Sequence, residues 1–175
     1  MRRARITLRT ADQSHAKKLH ALITANLEEG HLLPRTLGEL VVHADRFTIA
    51  LRGRRIVGCA ELAPLSAAVA EVRSLAVDRS ARGSGIGSDI VDELRRRARL
   101  EGFEKLCAFT HAPAYFIHMG FSIVPHLWLP EKIFTDCVKC PRFRRCGQYA
   151  MVVPLDFAVD GDRGDRLPAT GPSPA

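Results

Sequence analysis

Residues 82 to 87 read Arg82-Gly83-Ser84-Gly85-Ile86-Gly87, three glycines at alternate positions behind a basic residue. Ahead of them Glu71-Val72-Arg73-Ser74-Leu75-Ala76-Val77 is strand-like, and behind them Ile90, Val91, Leu94 and Ala98 recur at helical intervals to about residue 101. The chain must therefore pass from strand to helix through residues free to take positive φ, and the first-turn N–H groups of that helix lack intrahelical partners. Those amides, the positive end of the helix dipole and Arg82 together form an anion site suited to phosphate. A Walker A loop would close on Gly-Lys-Ser/Thr, whereas this one continues Gly87-Ser88-Asp89. A dinucleotide fingerprint would follow the first strand with G-x-G-x-x-G spacing, whereas this loop follows the fourth.

The rest of the chain reads as one mixed α/β domain. Residues 5–9 alternate polar and apolar, and Thr10 with Gln13 has capping-box spacing ahead of a helix that Gly30 ends. Thr36 and Glu39 repeat that spacing before a short helix to about His43. Strands are predicted at 47–51, 56–65, 68–77, 105–110, 121–124 and 149–153, a short helix at 113–119, and an irregular segment over 125–147. Hairpins come before the helix at 86–101, so a mixed, mostly antiparallel central sheet with helices on both faces fits better than a purely parallel one. From residue 156 the composition turns to Gly, Pro, Asp and Arg without periodicity, which predicts a disordered tail over 156–175 and a domain over 1–155.

At 175 residues and 46% hydrophobic there is enough chain for one core. The apolar runs are too short to span a bilayer and the basic N-terminus has no apolar h-region, so a cytoplasmic protein without membrane contact is expected. The net charge of +7 favours an anionic partner without choosing among nucleic acid, a phosphorylated cofactor and a dicarboxylate. Five cysteines, an odd number, argue against a disulfide framework.

The loop 82–87 resembles the Arg/Gln-x-x-Gly-x-Gly motif of the GNAT acyltransferases, and the resemblance extends over about residues 3–155. Four segments resemble more narrowly the acetyltransferase domain of amino-acid N-acetyltransferases, the N-acetylglutamate synthases. They are Leu32-Leu33-Pro34-Arg35-Thr36, residues 71–77, Tyr115-Phe116-Ile117-His118-Met119-Gly120-Phe121, and Leu129-Pro130-Glu131-Lys132-Ile133-Phe134-Thr135-Asp136-Cys137. Longer members carry an amino-acid kinase domain, for which this chain has no room; the resemblance is to the short form.

That resemblance implies acetyl-CoA as co-substrate and transfer to the α-amine of an amino acid, L-glutamate first, as in arginine biosynthesis. Glu71 matches the general base that a protonated amine requires, and Tyr115 the phenol that protonates the departing thiolate. Leu75, Ala76 and Val77 would lie along the pantetheine arm; a backbone N–H near Leu75 or Ala76 would hold the thioester oxygen, which is worth ~3 kcal/mol where charge develops. Arg82, Gly83, Ser84, Gly85, Ile86, Gly87 and Ser88 would take the pyrophosphate. Arg35, Ser74, Thr110 and Lys132 match the amino-acid pocket, with one of Arg142, Arg144 or Arg145 as a further carboxylate ligand. Relatives often have cysteine where Ser74 stands, which leaves glutamine or another small amine as an alternative acceptor. Many GNAT proteins form homodimers.

Two other features carry less. Cys137, Cys140 and Cys146 have the spacing of half a zinc site, with Cys107, His126 or another chain for the fourth ligand, but no second CxxC follows, so reduced thiols and no metal are expected. Arg95, Arg96, Arg97 and Arg99 lack interleaved aromatics and read as the wet face of a helix rather than a nucleic-acid surface. Readings from other classes are a non-catalytic acyl-CoA sensor and a nucleic-acid-binding protein.

Overall fold

A computed structural model describes residues 5–29 and 32–155. Seven strands form one sheet: β1 (Ile6–Thr10), β2 (Phe47–Arg52), β3 (Arg55–Pro64), β4 (Val69–Val77), β5 (Lys105–Thr110), β6 (Ser122–Val124) and β7 (Tyr149–Pro154). Their spatial order is β1-β2-β3-β4-β5-β7-β6, and every neighbouring pair is antiparallel except β4 with β5. The mixed, mostly antiparallel sheet expected from the hairpin pattern is what forms.

Helices cover both faces, and the period of two along the strands decides what each face receives. Leu106 and Ala108 join Ala70, Val72, Met151 and Val153 under α3 (Ile86–Leu100), whose Ile86, Ile90, Val91, Leu94 and Ala98 are all buried. Cys107 points to the opposite face, with Val69, Ala150 and Leu129. On that opposite face α1 (Ala16–Ala25) and α2 (Leu37–Val42) bring Leu19, Leu22, Ile23 and Leu40 onto Phe47, Ile49 and Cys59. Gly58 sets how closely α3 seats. A Cβ there would lie 2.8 Å from Ile90 Cδ1 and 2.9 Å from Ile86 Cγ2, so any larger residue would lift the start of α3 off β3.

Two expectations need correction. Asp12, not Thr10, makes the capping box, and it caps the 3-10 turn Gln13–His15 that leads into α1, accepting from Ser14 N and closing the box with His15; Thr10 is the last residue of β1. Residues 125–147 are not wholly irregular: Pro130–Thr135 forms α5, preceded by α4 (Pro113–His118) and β6, and three 3-10 turns surround it. A six-residue helix is under two turns, too short to show a repeat. The capping box at Thr36 and Glu39 does form. Gly30 and the tail from residue 156 lie outside the described residues.

Candidate active site

The parallel contact between β4 and β5 runs only from Val69↔Lys105 to Val72↔Ala108. Beyond it β5 continues on β7 to Thr110, and β4 continues on β3 to Val77, so the two strands part and leave an opening in the sheet. A bulge accompanies the parting. The β3–β4 register shifts between Cys59↔Ala76 and Glu61↔Arg73, and Ser74 stands at φ 51°, the one positive-φ residue other than glycine among the described residues. Holding a residue with a side chain in that region costs on the order of 1–3 kcal/mol, which the surrounding sheet must offset.

The glycine loop lies at the end of β4. Asp78 starts it by accepting from Ser80 N at 3.0 Å and is itself held by Arg55 at 2.6 Å. Gly83 and Gly85 take φ of 72° and 84°, with open space beside each. Gly85 is the N-cap of α3 and no side chain caps the helix, so the loop is exposed and its first-turn amides are open to an anion. Arg82 braces the loop: its Nε donates to Val77 O at 3.1 Å and its Nη2 to Asn26 Oδ1 at 2.6 Å. Ile86 is buried in the core, so only its backbone can face a ligand.

Tyr115, on α4, reaches the first turn of α3 from the other side of the opening. A Cβ on Gly87 would stand 3.0 Å from its hydroxyl, so the glycine there makes room for the phenol as well as for a ligand. The hydroxyl is buried without a hydrogen bond of good geometry among the described residues. Burial raises the phenol pKa, the neighbouring Ser88 hydroxyl opposes the rise, and Asp92 and Asp89 add to it. Tyr115 therefore keeps its proton at neutral pH, as a proton donor to an incoming group requires.

On the α5 face of the opening four charged side chains form one network, and a separate ion pair lies across the bulge. Glu71, 3% exposed, accepts from Lys132 Nζ at 2.8 Å through each oxygen, and its Oε2 also accepts from Arg73 Nε. Asp136 ties the two cations together, accepting from Lys132 at 2.8 Å and from Arg73 Nη2. Burial pulls the Arg73 pKa down, but Glu71, then Asp136 and Glu61, more than reverse this and hold it charged. Across the bulge Glu61, 2% exposed, takes Arg35 Nη2, while Arg35 Nε donates to Ser74 Oγ at 3.2 Å. Three carboxylates thus face three cations.

The structure brings most of the residues singled out in the sequence to one opening, and gives several of them protein partners. Glu71, Ser74, Leu75, Ala76, Val77, Tyr115 and Thr110 all border the opening, although Ala76 packs its side chain into the core. Thr110 Oγ1 accepts from Ala112 N at 2.9 Å. Lys132, expected to grip a substrate carboxylate, spends its donors on Glu71 and Asp136 and lies 5.2 Å from the Phe109 ring. Arg142, Arg144 and Arg145 are exposed. Glu61, Arg73, Asp136 and Asn26 were not anticipated. Glu61 did carry a signal, a lone charge inside the apolar run Ile56-Val57-Gly58-Cys59-Ala60-Glu61-Leu62.

Cys137, Cys140 and Cys146 are free thiols, and among the described residues no three ligating side chains converge as a metal ion needs. Two of the arginines on α3 are used by the fold: Arg95 binds Met119 O, and Arg97 binds Arg46 O and Thr48. No helix among the described residues is long and apolar enough to cross a membrane.

Comparison with known proteins agrees with this geometry. The family described as "Acetyltransferase (GNAT) family" matches residues 13–121. An uncharacterized N-acetyltransferase of Chlorobaculum tepidum is 29% identical over 148 residues, 85% of this chain and 96% of that one. An amino-acid acetyltransferase of Pectobacterium carotovorum is 30% identical over 107 residues, 60% of this chain but only 24% of that protein, so the chain spans about a quarter of its length. Among solved structures, N-acetylglutamate synthase from Neisseria gonorrhoeae, complexed with coenzyme A and N-acetyl-glutamate, superposes with a TM-score of 0.78 at 26% identity. That match covers 87% of this chain and 36% of the synthase.

Proposed function

The chain belongs to the GNAT family of acetyltransferases, and from that premise we propose that it transfers the acetyl group of acetyl-CoA to the α-amine of an amino acid, L-glutamate first. The observation that carries the reading is the opening between β4 and β5, with an uncapped glycine loop at one end and the partnerless Tyr115 hydroxyl beside it. These features fit the co-substrate: exposed amides and open glycines for a pyrophosphate, unpaired strand edge for an amide-bearing arm, and a buried phenol for a thiolate.

Acetyl-CoA supplies an activated acyl group. In this reading Arg82, Gly83, Ser84, Gly85, Ile86, Gly87 and Ser88 hold the pyrophosphate, chiefly through backbone N–H groups. Leu75, Ala76 and Val77 line the arm, and the bulge at Ser74 aims a backbone N–H at the thioester oxygen. Glu71 takes the proton of the acceptor amine. Its Oε2 already accepts two hydrogen bonds and its Oε1 one, so Oε1 has the lone pair left for that task. Tyr115 gives its proton to the departing sulfur. Lys132 acts here by fixing Glu71 rather than by touching substrate, while Arg35, Ser74 and Thr110 face the acceptor.

A second acceptor reading, glutamine or another amine of neutral side chain, is favoured by one observation: Arg35, Arg73 and Lys132 each already face a carboxylate. The proposal extends to a cytoplasmic enzyme of arginine biosynthesis, working as a homodimer through apolar side chains such as Leu127, Trp128 and Phe134, which are 80%, 68% and 75% exposed. Initial rates of CoA release against the twenty amino acids test the activity. Release dependent on one or a few of them is expected. CoA binding by calorimetry with no transfer to any of them would refute catalysis and leave a sensor.

A further inference from the structure

We propose that Glu61 is a built-in competitor for the acceptor's carboxylate, and so sets how the site discriminates acidic from neutral acceptors. The inference rests on the reading of the acceptor as an amino acid held by Arg35.

Arg35 sits 18% exposed at the bulge, with one edge of its guanidinium committed: Nε to Ser74 Oγ and Nη2 to Glu61 Oε2. That Nε/Nη2 edge is the one a carboxylate grips side-on with two parallel hydrogen bonds. A substrate carboxylate must therefore displace Glu61 or take the end formed by Nη1 and the second Nη2 proton, beside a fixed negative charge. Glu61 cannot move away at little cost. It is 2% exposed, lies on a central strand opposite Arg73, and without a cation its charge would be buried unpaired. The repulsion acts in full on the carboxylate held at Arg35 and more weakly, with distance, on a second one, so a dicarboxylate carries the larger total penalty. Neutral-side-chain acceptors are penalised less. The same glutamate stabilises Arg35 in place, so it orients the anchor while weakening its grip.

Glu61→Gln keeps the size and an oxygen for Arg35 while removing the charge. The expected result is a KM for glutamate lowered about tenfold, a KM for glutamine lowered no more than about threefold, and a kcat within twofold for both. The KM for acetyl-CoA should not change. A purely structural role would instead raise all the constants together. Glu61→Asp, which keeps the charge but withdraws it from Arg35, should move in the same direction with smaller amplitude, and is the variant to read if the glutamine variant does not fold. Binding of glutarate, a dicarboxylate without an amine, to the CoA-loaded protein by calorimetry gives a readout independent of turnover and should tighten about tenfold in Glu61→Gln. Unchanged or weakened glutarate binding, or equal KM changes for glutamate and glutamine, would overturn the proposal. Failure of the wild type to acetylate any amino acid, with tighter glutarate binding by the variant, would sink the acceptor reading alone.

Discussion

Glu71→Gln separates the two things the Glu71 carboxylate does in this structure, neutralising cations and accepting a proton. Breaking a buried ion pair usually costs about 3–5 kcal/mol, because a charge is left buried without a partner. Here Arg73 and Lys132 both keep Asp136, and glutamine still offers one acceptor oxygen, so about 2 kcal/mol is the expected loss. For a chain of this size each kcal/mol moves Tm by about 2–4 °C, giving a fall of about 4–8 °C by differential scanning calorimetry. Loss of a general base costs about 10²–10⁴-fold, so kcat should fall by that factor while the KM for acetyl-CoA stays within about twofold. The residual rate should climb with pH from neutral to alkaline, since only amine already deprotonated in solution can then react. A Tm drop of the expected size with kcat within about threefold of the wild type would refute the argument, and would make Glu71 a counter-ion for Arg73 and Lys132 and nothing more.

Tyr115→Phe removes a hydroxyl that has no hydrogen-bond partner among the described residues, so the fold should lose at most about 1 kcal/mol while kcat falls about 10²-fold or more, read from steady-state rates and thermal melts side by side. Because the Tyr115 phenol has a pKa raised in the folded protein, its contribution to stability is complete below the ordinary tyrosine pKa near 10 and is lost as pH rises through the raised value; melting of the wild type but not of Tyr115→Phe should carry that alkaline loss. Gly87→Ala puts a methyl 3.0 Å from the Tyr115 hydroxyl and forces a displacement of a few tenths of an ångström, for which a kcat loss of about three- to tenfold is expected with little change in Tm. The thiols should divide in two classes under a disulfide-exchange reagent at mildly alkaline pH. Cys137, Cys140 and Cys146 react in the native protein, Cys137 the slowest of them because partial burial raises its pKa too, whereas Cys59, pushed up to about 12, and Cys107, also raised, are fully enclosed and react only after unfolding.

The glycine loop and the helix behind it were legible in the sequence because their determinants are local. Alternate glycines, a preceding strand and the repeat Ile86, Ile90, Leu94 and Ala98 lie within thirty residues, and each acts through backbone conformation or helix geometry. The acceptor side was not, because its contacts join segments far apart. Arg35 meets Glu61 across 26 positions and Lys132 meets Glu71 across 61, and nothing in spacing says that a lysine expected to hold substrate is already matched. Ser74 hides for a different reason: the strand pattern around it continues through the bulge, and a positive φ at a serine leaves no mark in composition. The segment carrying α5 was misjudged because Ile133 and Phe134 leave its apolar side largely unburied, so no stripe faces a core.

Four residues of each strand, Val69 to Val72 against Lys105 to Ala108, are the whole seam by which β1 to β4 adjoin β5, β7 and β6. The protein is in this sense two half-sheets hung on a short common hem, with α3 and α4 lapped over the join. A guest that fits the gap beyond Val72 touches both halves at once and acts as a clasp, so occupancy and rigidity are coupled: at a hundredfold excess over its dissociation constant a single such ligand adds ~2.7 kcal/mol. Substitutions that loosen the hem, Val72→Ala first among them, should be felt most by the empty protein and least by the filled one.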